Sequence, residues 1–267
     1  MWNREIDRIK SVFKYKVRPK GIVIIAILNI GYLINFIRTD CAYFGGCAAI
    51  NFTGFLTIVL SEQHFLTFMI PLSIIYGVSE MNRVRLTEIM EYKERGSWDK
   101  LVMTAGVIYS LGYFLFLMTA LAAIAKITGI NFVDLKTPCN GMDFIIPHTL
   151  QNSTNIDMVS IAIANAGNVL LYCISVGMLY HFLLCIAKRR TGAVLLEITI
   201  LVIILLTAKF LMRGTYPFTF LGNVILNIGA DKLNLHINWI YWIVVNLALV
   251  GLTIFRNRKR EYDHDEQ

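Results

Sequence analysis

Charge is what this sequence has least of: Asp, Glu, Lys and Arg make up 16% of its 267 residues, against 56% hydrophobic residues. Soluble domains carry about 25% charge and cannot leave so much apolar surface uncovered. Cysteine is sparse as well. Its five copies are too few and too scattered for a disulfide scaffold or a zinc pattern. Cys41 and Cys47 share the segment "DCAYFGGC", where a disulfide and two free thiols are equally open readings. Cys173 and Cys185 fall inside an apolar run and read as small packing residues. There is no GxxxxGK[ST] phosphate loop, HExxH helix, GxSxG elbow or paired His/Cys metal spacing. Aspartates are scarce inside the apolar runs, which disfavours a metal-dependent lipid-phosphate transferase. The chain offers no catalytic, cofactor-binding or metal residues of its own, so a stand-alone enzyme is not expected.

What is present is a series of long apolar runs. They are Gly21–Ile37, Phe52–Val78, Leu101–Ala125, Met158–Ala187, Thr191–Met212 and Ile237–Phe255. A bilayer core about 30 Å thick takes roughly 20 helical residues to cross. Backbone groups inside lipid have no water to bond, so such runs become helices rather than open strands. About twenty largely charged and polar residues precede the first run, and no small-residue cleavage site follows it before Arg38. It therefore reads as a span and not a signal peptide. The expected fold class is an all-α membrane protein with six transmembrane helices.

Basic residues orient it. Segments on alternate sides of the runs hold 19 and six of the 25 Lys and Arg residues. Positive loops stay inside, which places both termini in the cytoplasm and makes this a multi-pass cell-membrane protein. The net charge of +7 is then a topology signal, and no nucleic-acid partner is implied. Asn51-Phe-Thr and Asn152-Ser-Thr match the glycosylation triplet on the outer side, a pattern that also arises by chance.

Three segments outside the runs carry information. Residues 1–20 place Trp2, Ile6, Ile9 and Phe13 at helical spacing with Arg4, Arg8, Lys10 and Lys14 between them. Such a basic amphipathic helix lies in the headgroup plane, and Pro19 ends it where the first span begins. The strip Glu80–Lys100 holds five basic and five acidic residues, with an apolar patch at Leu86, Ile89 and Met90. A plain topological loop needs only the basic ones, so the strip reads as a protein-contact surface; Gly96 is expected to break its helix and Trp98 to anchor at the interface. Before the last run, Phe218–Ile228 is too short to span and suits a re-entrant segment, about 216–229. The outer connection 128–157, with Cys139, reads as an ordered cap. Residues 256–267 form a charged cytoplasmic tail.

Ionisable residues at membrane depth are functional candidates by default. Glu197 lies in the fifth run and His181 at comparable depth in the fourth. A helix-to-helix bond between them is the favoured expectation, with Arg189 or Arg190 as other partners for Glu197. Ser61–His64, "SEQH", interrupts the second run. Either one long span turns Glu62 and His64 toward a polar cavity, which is slightly preferred, or Phe52–Leu60 lies at the interface and Phe65–Val78 spans. Pro71 can kink either arrangement.

Taken together, the elbow helix, the six runs, the strip "EMNRVRLTEIMEYKERGSWDKL" and the short apolar segment before the sixth run resemble the permease subunit of type-2 ABC exporters. The resemblance covers nearly the whole chain as architecture. It implies that Glu88, Tyr92, Arg95, Gly96, Trp98 and Lys100 form a coupling helix that docks on a separate ATPase. Two ATPase copies, which carry the ATP and Mg, would then work with two permeases, identical or related, in the lipid bilayer. The implied cargo is a peptide, a drug-like compound or another amphipathic molecule, including bacteriocin export or immunity. Two alternatives stay open. One is a nucleotide-independent carrier or channel using Glu62, His64, His181 and Glu197; the other is a membrane immunity or scaffold subunit that transports nothing. Six spans without an evident internal repeat argue mildly against the carrier.

Overall fold

The computed structural model describes residues 6, 9–10, 13, 18–43, 50–62, 64–82, 95–136, 157–187, 189–211 and 235–259, with backbone alone at 40–43, 95–99, 205–211, 235–238 and 257–259. The helices are α1 (Pro19–Tyr43), α2 (Phe52–Leu60), α3 (Ile70–Met81), α4 (Arg95–Ile127), α5 (Met158–Ala187), α6 (Arg190–Leu211) and α7 (Leu235–Lys259), with a π-helical turn at Phe65–Met69 ahead of α3. No strand occurs among the described residues beyond a single bridge between Asn51 and Asn131. Each of the six apolar runs is wholly or mainly helical. Four helices are long and apolar enough to cross a membrane, within α1, α4, α5 and α7, and five if α2 and the π–α3 segment count as one broken span. The chain is a membrane-embedded helical protein.

Local chemistry accounts for the helix ends. Pro19 occupies the first helical position of α1, where its missing N–H costs nothing. Asn51 caps α2 by accepting from the Gly54 amide at 2.9 Å. The Asn51 amide group also donates to the Asp134 carbonyl at 3.0 Å, and the Thr53 hydroxyl to that of Leu135 at 2.7 Å. The glycosylation triplet at Asn51 is therefore buried structural chemistry. Gly129, at φ +79°, lets the chain turn back after α4 so that the Ile130 amide reaches the Ala125 carbonyl. At the start of α5 the exposed Asp157 carboxylate accepts from the Ser160 hydroxyl at 2.7 Å, a bond that holds its acid below the ordinary carboxylate range.

α5 is the axis of the bundle. It packs against α2, α3, α4, α6 and α7, and 61% of its apolar window is buried against 11–28% for the other three long helices. Lipid tails are as apolar as leucine, so burial from water does not hold such helices together; close packing and interhelical hydrogen bonds do. Tyr172 of α5 donates to the Leu66 carbonyl at 2.7 Å, and Asn165 reaches Ser61 Oγ at 3.2 Å. Trp239 of α7 donates to the Ala164 carbonyl at 3.0 Å, and Asn246 to that of Leu171 at 3.2 Å. α1 joins the other side through Asn29, which donates to Ser73 Oγ and accepts from the Tyr113 hydroxyl, both at 2.9 Å. Each such bond is worth about 0.6 kcal/mol on average, so the set fixes register more than it supplies stability.

The second run is not the straight span of the preferred sequence reading. α2 and the π–α3 segment meet at 60° across Ser61–His64, as a broken span or a re-entrant loop. α2 itself packs into the bundle, with seven of its nine residues buried. The π turn lies just before Pro71 and follows from it. In π spacing the Ile70 amide bonds to the Phe65 carbonyl, which leaves the next carbonyl, that of Leu66, facing a proline without N–H. The Tyr172 hydroxyl satisfies that carbonyl.

Candidate functional site

The polar side chains of the bundle collect at three levels. The first is the end where α3 finishes and α1, α4 and α6 begin, rich in Lys and Arg and called the basic end below. Glu80, in the last turn of α3, is buried there at 6% side-chain exposure. Its Oε1 takes a 2.6 Å bond from Arg190 at the start of α6, and its Oε2 lies 3.7 Å from the guanidinium of Arg18, just ahead of α1. One carboxylate thus ties together three helices that are far apart in sequence. Beside it, Met81, Leu101, Val102 and Ala105 form a small apolar cluster against which Ile9 and Phe13 of the N-terminal segment pack. The strip leaves α3 after Met81 and enters α4 before Leu101, so both of its ends rest on that cluster.

His181 and Asn82 face each other at this level, with Nδ1 3.5 Å from the Asn82 amide nitrogen. A Cβ at Gly106 of α4 would stand 2.8 Å from His181 Nε2, so only glycine admits the imidazole there. Nε2 itself has no hydrogen-bond partner.

The second lies between α5 and α6. Ala193, Glu197 and Leu201 form the buried face of α6. Neither Glu197 oxygen is hydrogen-bonded, and the Tyr180 hydroxyl is unpartnered as well. Tyr180 and Tyr172 of α5 are electrostatic neighbours of Glu197. The expected Glu197–His181 bond is therefore not made. Asn82 stands against His181, and Arg190, the nearest cation in sequence, turns away to Glu80.

The third level is the break in the second run. Glu62 accepts from the His64 amide at 3.0 Å and from the Phe65 amide, and its Oε2 accepts from the Tyr32 hydroxyl of α1 at 2.7 Å. The carboxylate caps the π–α3 segment and pins it to α1; it is engaged, not turned into a cavity. His64 is exposed and stacks its ring on Phe68 at 6.5 Å.

Of the positions singled out in the sequence, Glu62 and His64 lie together at the break, whereas His181 and Glu197 lie elsewhere and are not bonded to each other. No group of three or more His, Cys, Asp or Glu able to hold a metal occurs among the described residues. Glu88, Tyr92 and Cys47 fall outside the described residues, and the side chains of Arg95, Gly96, Trp98 and Cys41 are likewise not described; Lys100 is exposed. The backbone at Arg95–Lys100 is already the first turns of α4, so Gly96 sits within a helix where a break was expected. Phe218–Ile228 also lies outside the described residues. Cys173 and Cys185 are buried. The sequence reading missed Glu80 as a core residue, because the apolar run stops at Val78 and the next acidic residue looked like the start of a loop. It also missed Asn29, Asn165 and Asn168, buried amides inside apolar runs. Compared with protein-family models, curated proteins and solved structures, the chain matches none.

Proposed function

We propose that this chain is the membrane permease subunit of a type-2 ABC exporter, driven by ATP hydrolysis on a separate ATPase and moving a peptide or other amphipathic cargo. The observation that carries the reading is the anchoring of the strip. Both of its ends rest on the cluster of Met81, Leu101, Val102 and Ala105, clasped by Ile9 and Phe13. A partner that pulls on residues 83–94 therefore acts on α3 and α4 together. α3 continues into a π turn and a 60° break, elements that repack more readily than a straight helix. The Glu80 ties to Arg18 and Arg190 extend the same push to α1 and α6.

The reading requires an ATPase. Tagged protein purified from its own host should bring down a soluble ATPase, and charge reversal at Glu88 or Arg95 should release that ATPase without preventing membrane insertion. Recovery of the permease alone, or unchanged ATPase binding and transport in both reversals, would exclude it.

One observation favours a carrier driven by an ion gradient: Glu197, buried with both oxygens unpartnered. Against it, Glu62 is committed to a helix cap and lies away from Glu197 and His181, so the four groups make no relay. A carrier would purify alone and respond to a gradient. A non-transporting immunity subunit would bind its ligand and respond to neither gradient nor nucleotide.

A further inference from the structure

We infer that the groove between α1, α3 and α6 holds one acyl chain of an anionic phospholipid, whose phosphate sits between Arg18 and Arg190. The inference does not rest on the transport reading; it needs only that the helices cross a bilayer.

α3 is the floor of the groove, through Leu72 and Ile75, with Ile25 and Leu28 of α1 as one wall and Val194 and Ile198 of α6 as the other. Its volume is about 460 Å³, inside the range of about 300–1,000 Å³ typical of ligand sites. The lining is apolar apart from the Asn29–Ser73 pair at the deep end and Tyr76, Ser79, Arg190 and Thr191 toward the mouth. Asn29 and Ser73 are bonded to each other and to the backbone, so they place no unmet polar demand on a hydrocarbon occupant. From Ser79 to Met69 the floor runs about 15 Å at helical rise, half of a hydrocarbon core about 30 Å thick. That is the depth of a single leaflet.

The mouth supplies the charge. Arg18 and Arg190 share the one carboxylate of Glu80, with side chains 63% and 39% exposed. Lys20 and Arg189, both exposed, adjoin them in sequence. Arg18 meets Glu80 only at 3.7 Å, which leaves its guanidinium donors open to a phosphate. A guanidinium fork suits phosphate geometry, and basic pockets between spans recognise anionic headgroups at the membrane surface. Tyr76 packs its hydroxyl against Gly21 beside the mouth, so the α1 wall is held against the floor of the groove.

The test is native mass spectrometry of the full-length protein released from nanodiscs of equal phosphatidylglycerol and phosphatidylcholine. One phosphatidylglycerol should stay on each chain, preferred roughly tenfold over phosphatidylcholine, about the worth of one charge-assisted hydrogen bond. Arg18→Gln should abolish the preference. Val194→Trp, which fills the groove, should lose both lipids, while Leu195→Trp on the exposed side of the same helix should lose neither. Thermal unfolding checks that each variant folds; if Val194→Trp does not, Arg18→Gln at its exposed position decides alone. Equal retention of the two lipids, an Arg18→Gln protein that keeps its preference, or a folded Val194→Trp protein that retains lipid as Leu195→Trp does overturns the proposal and leaves only a general lipid annulus.

Discussion

Glu80 shows how much one side chain can hold in a bundle that water does not compress. Arg190 contributes a charge-assisted bond at 2.6 Å and Arg18 a longer contact. Removing one partner of a fully buried pair costs about 3–5 kcal/mol, mainly because the other charge is left stranded. Arg190 keeps 39% of its side chain in contact with the surroundings, so the discount for screening is substantial. Arg190→Leu should therefore destabilise the detergent-solubilised protein by about 2 kcal/mol, less than the fully buried limit. Combining it with Glu80→Leu should recover most of that loss, since an apolar pair leaves no stranded charge. A double variant no more stable than Arg190→Leu alone would show that the knot contributes through packing. Little of this was legible in the sequence, because Glu80 bonds to a residue 110 positions away and nothing local marks the pairing. Glu197 misled in the opposite sense: its depth was readable from the run around it, but the cation closest to it in sequence had a better partner elsewhere.

At the scale of elements, the second run is the informative one. The four polar residues "SEQH" disclosed an interruption, yet they did not disclose its form, since a cavity-lining span and a broken one share that pattern. What decides is hydrogen bonding. Pro71 leaves the Leu66 carbonyl without a backbone donor, and Tyr172 supplies one from α5. Tyr172→Phe should cost roughly 1 kcal/mol in thermal unfolding. In a Pro71→Ala background that cost should shrink toward zero, because the substitution brings back the missing N–H. Equal costs in the two backgrounds would separate Tyr172 from the proline. The helices themselves were the most legible feature, since length and continuous apolarity decide them almost alone. Their mutual arrangement was not: nothing in the apolar runs of α1, α5 and α7 ranks them by burial, although α5 alone of the long helices is mostly enclosed.

For the molecule as a whole, orientation follows from the distribution of basic residues, with the basic end expected in the cytoplasm. Lys100 at the start of α4 and Val133 beyond its other end are both exposed and so report on opposite faces. On a background without native cysteines, Lys100→Cys should resist a membrane-impermeant thiol reagent in intact cells while Val133→Cys reacts. The reverse pattern would invert the topology and, with it, the side from which an ATPase could dock.

The enclosure of α5 also bears on how the protein is made. Its partners α2, α3 and α4 precede it in the chain, whereas α7, whose Trp239 and Asn246 bond to α5, is synthesised well after it. Until Leu235–Lys259 has left the ribosome and inserted, the flank of α5 around Gly167, on which the Trp239 ring finally lies, faces lipid or an insertion chaperone. Enclosure of α5 consequently waits for α7, and a chain interrupted before that helix would carry an unfinished surface along its central one, the kind of defect that membrane quality-control proteases select.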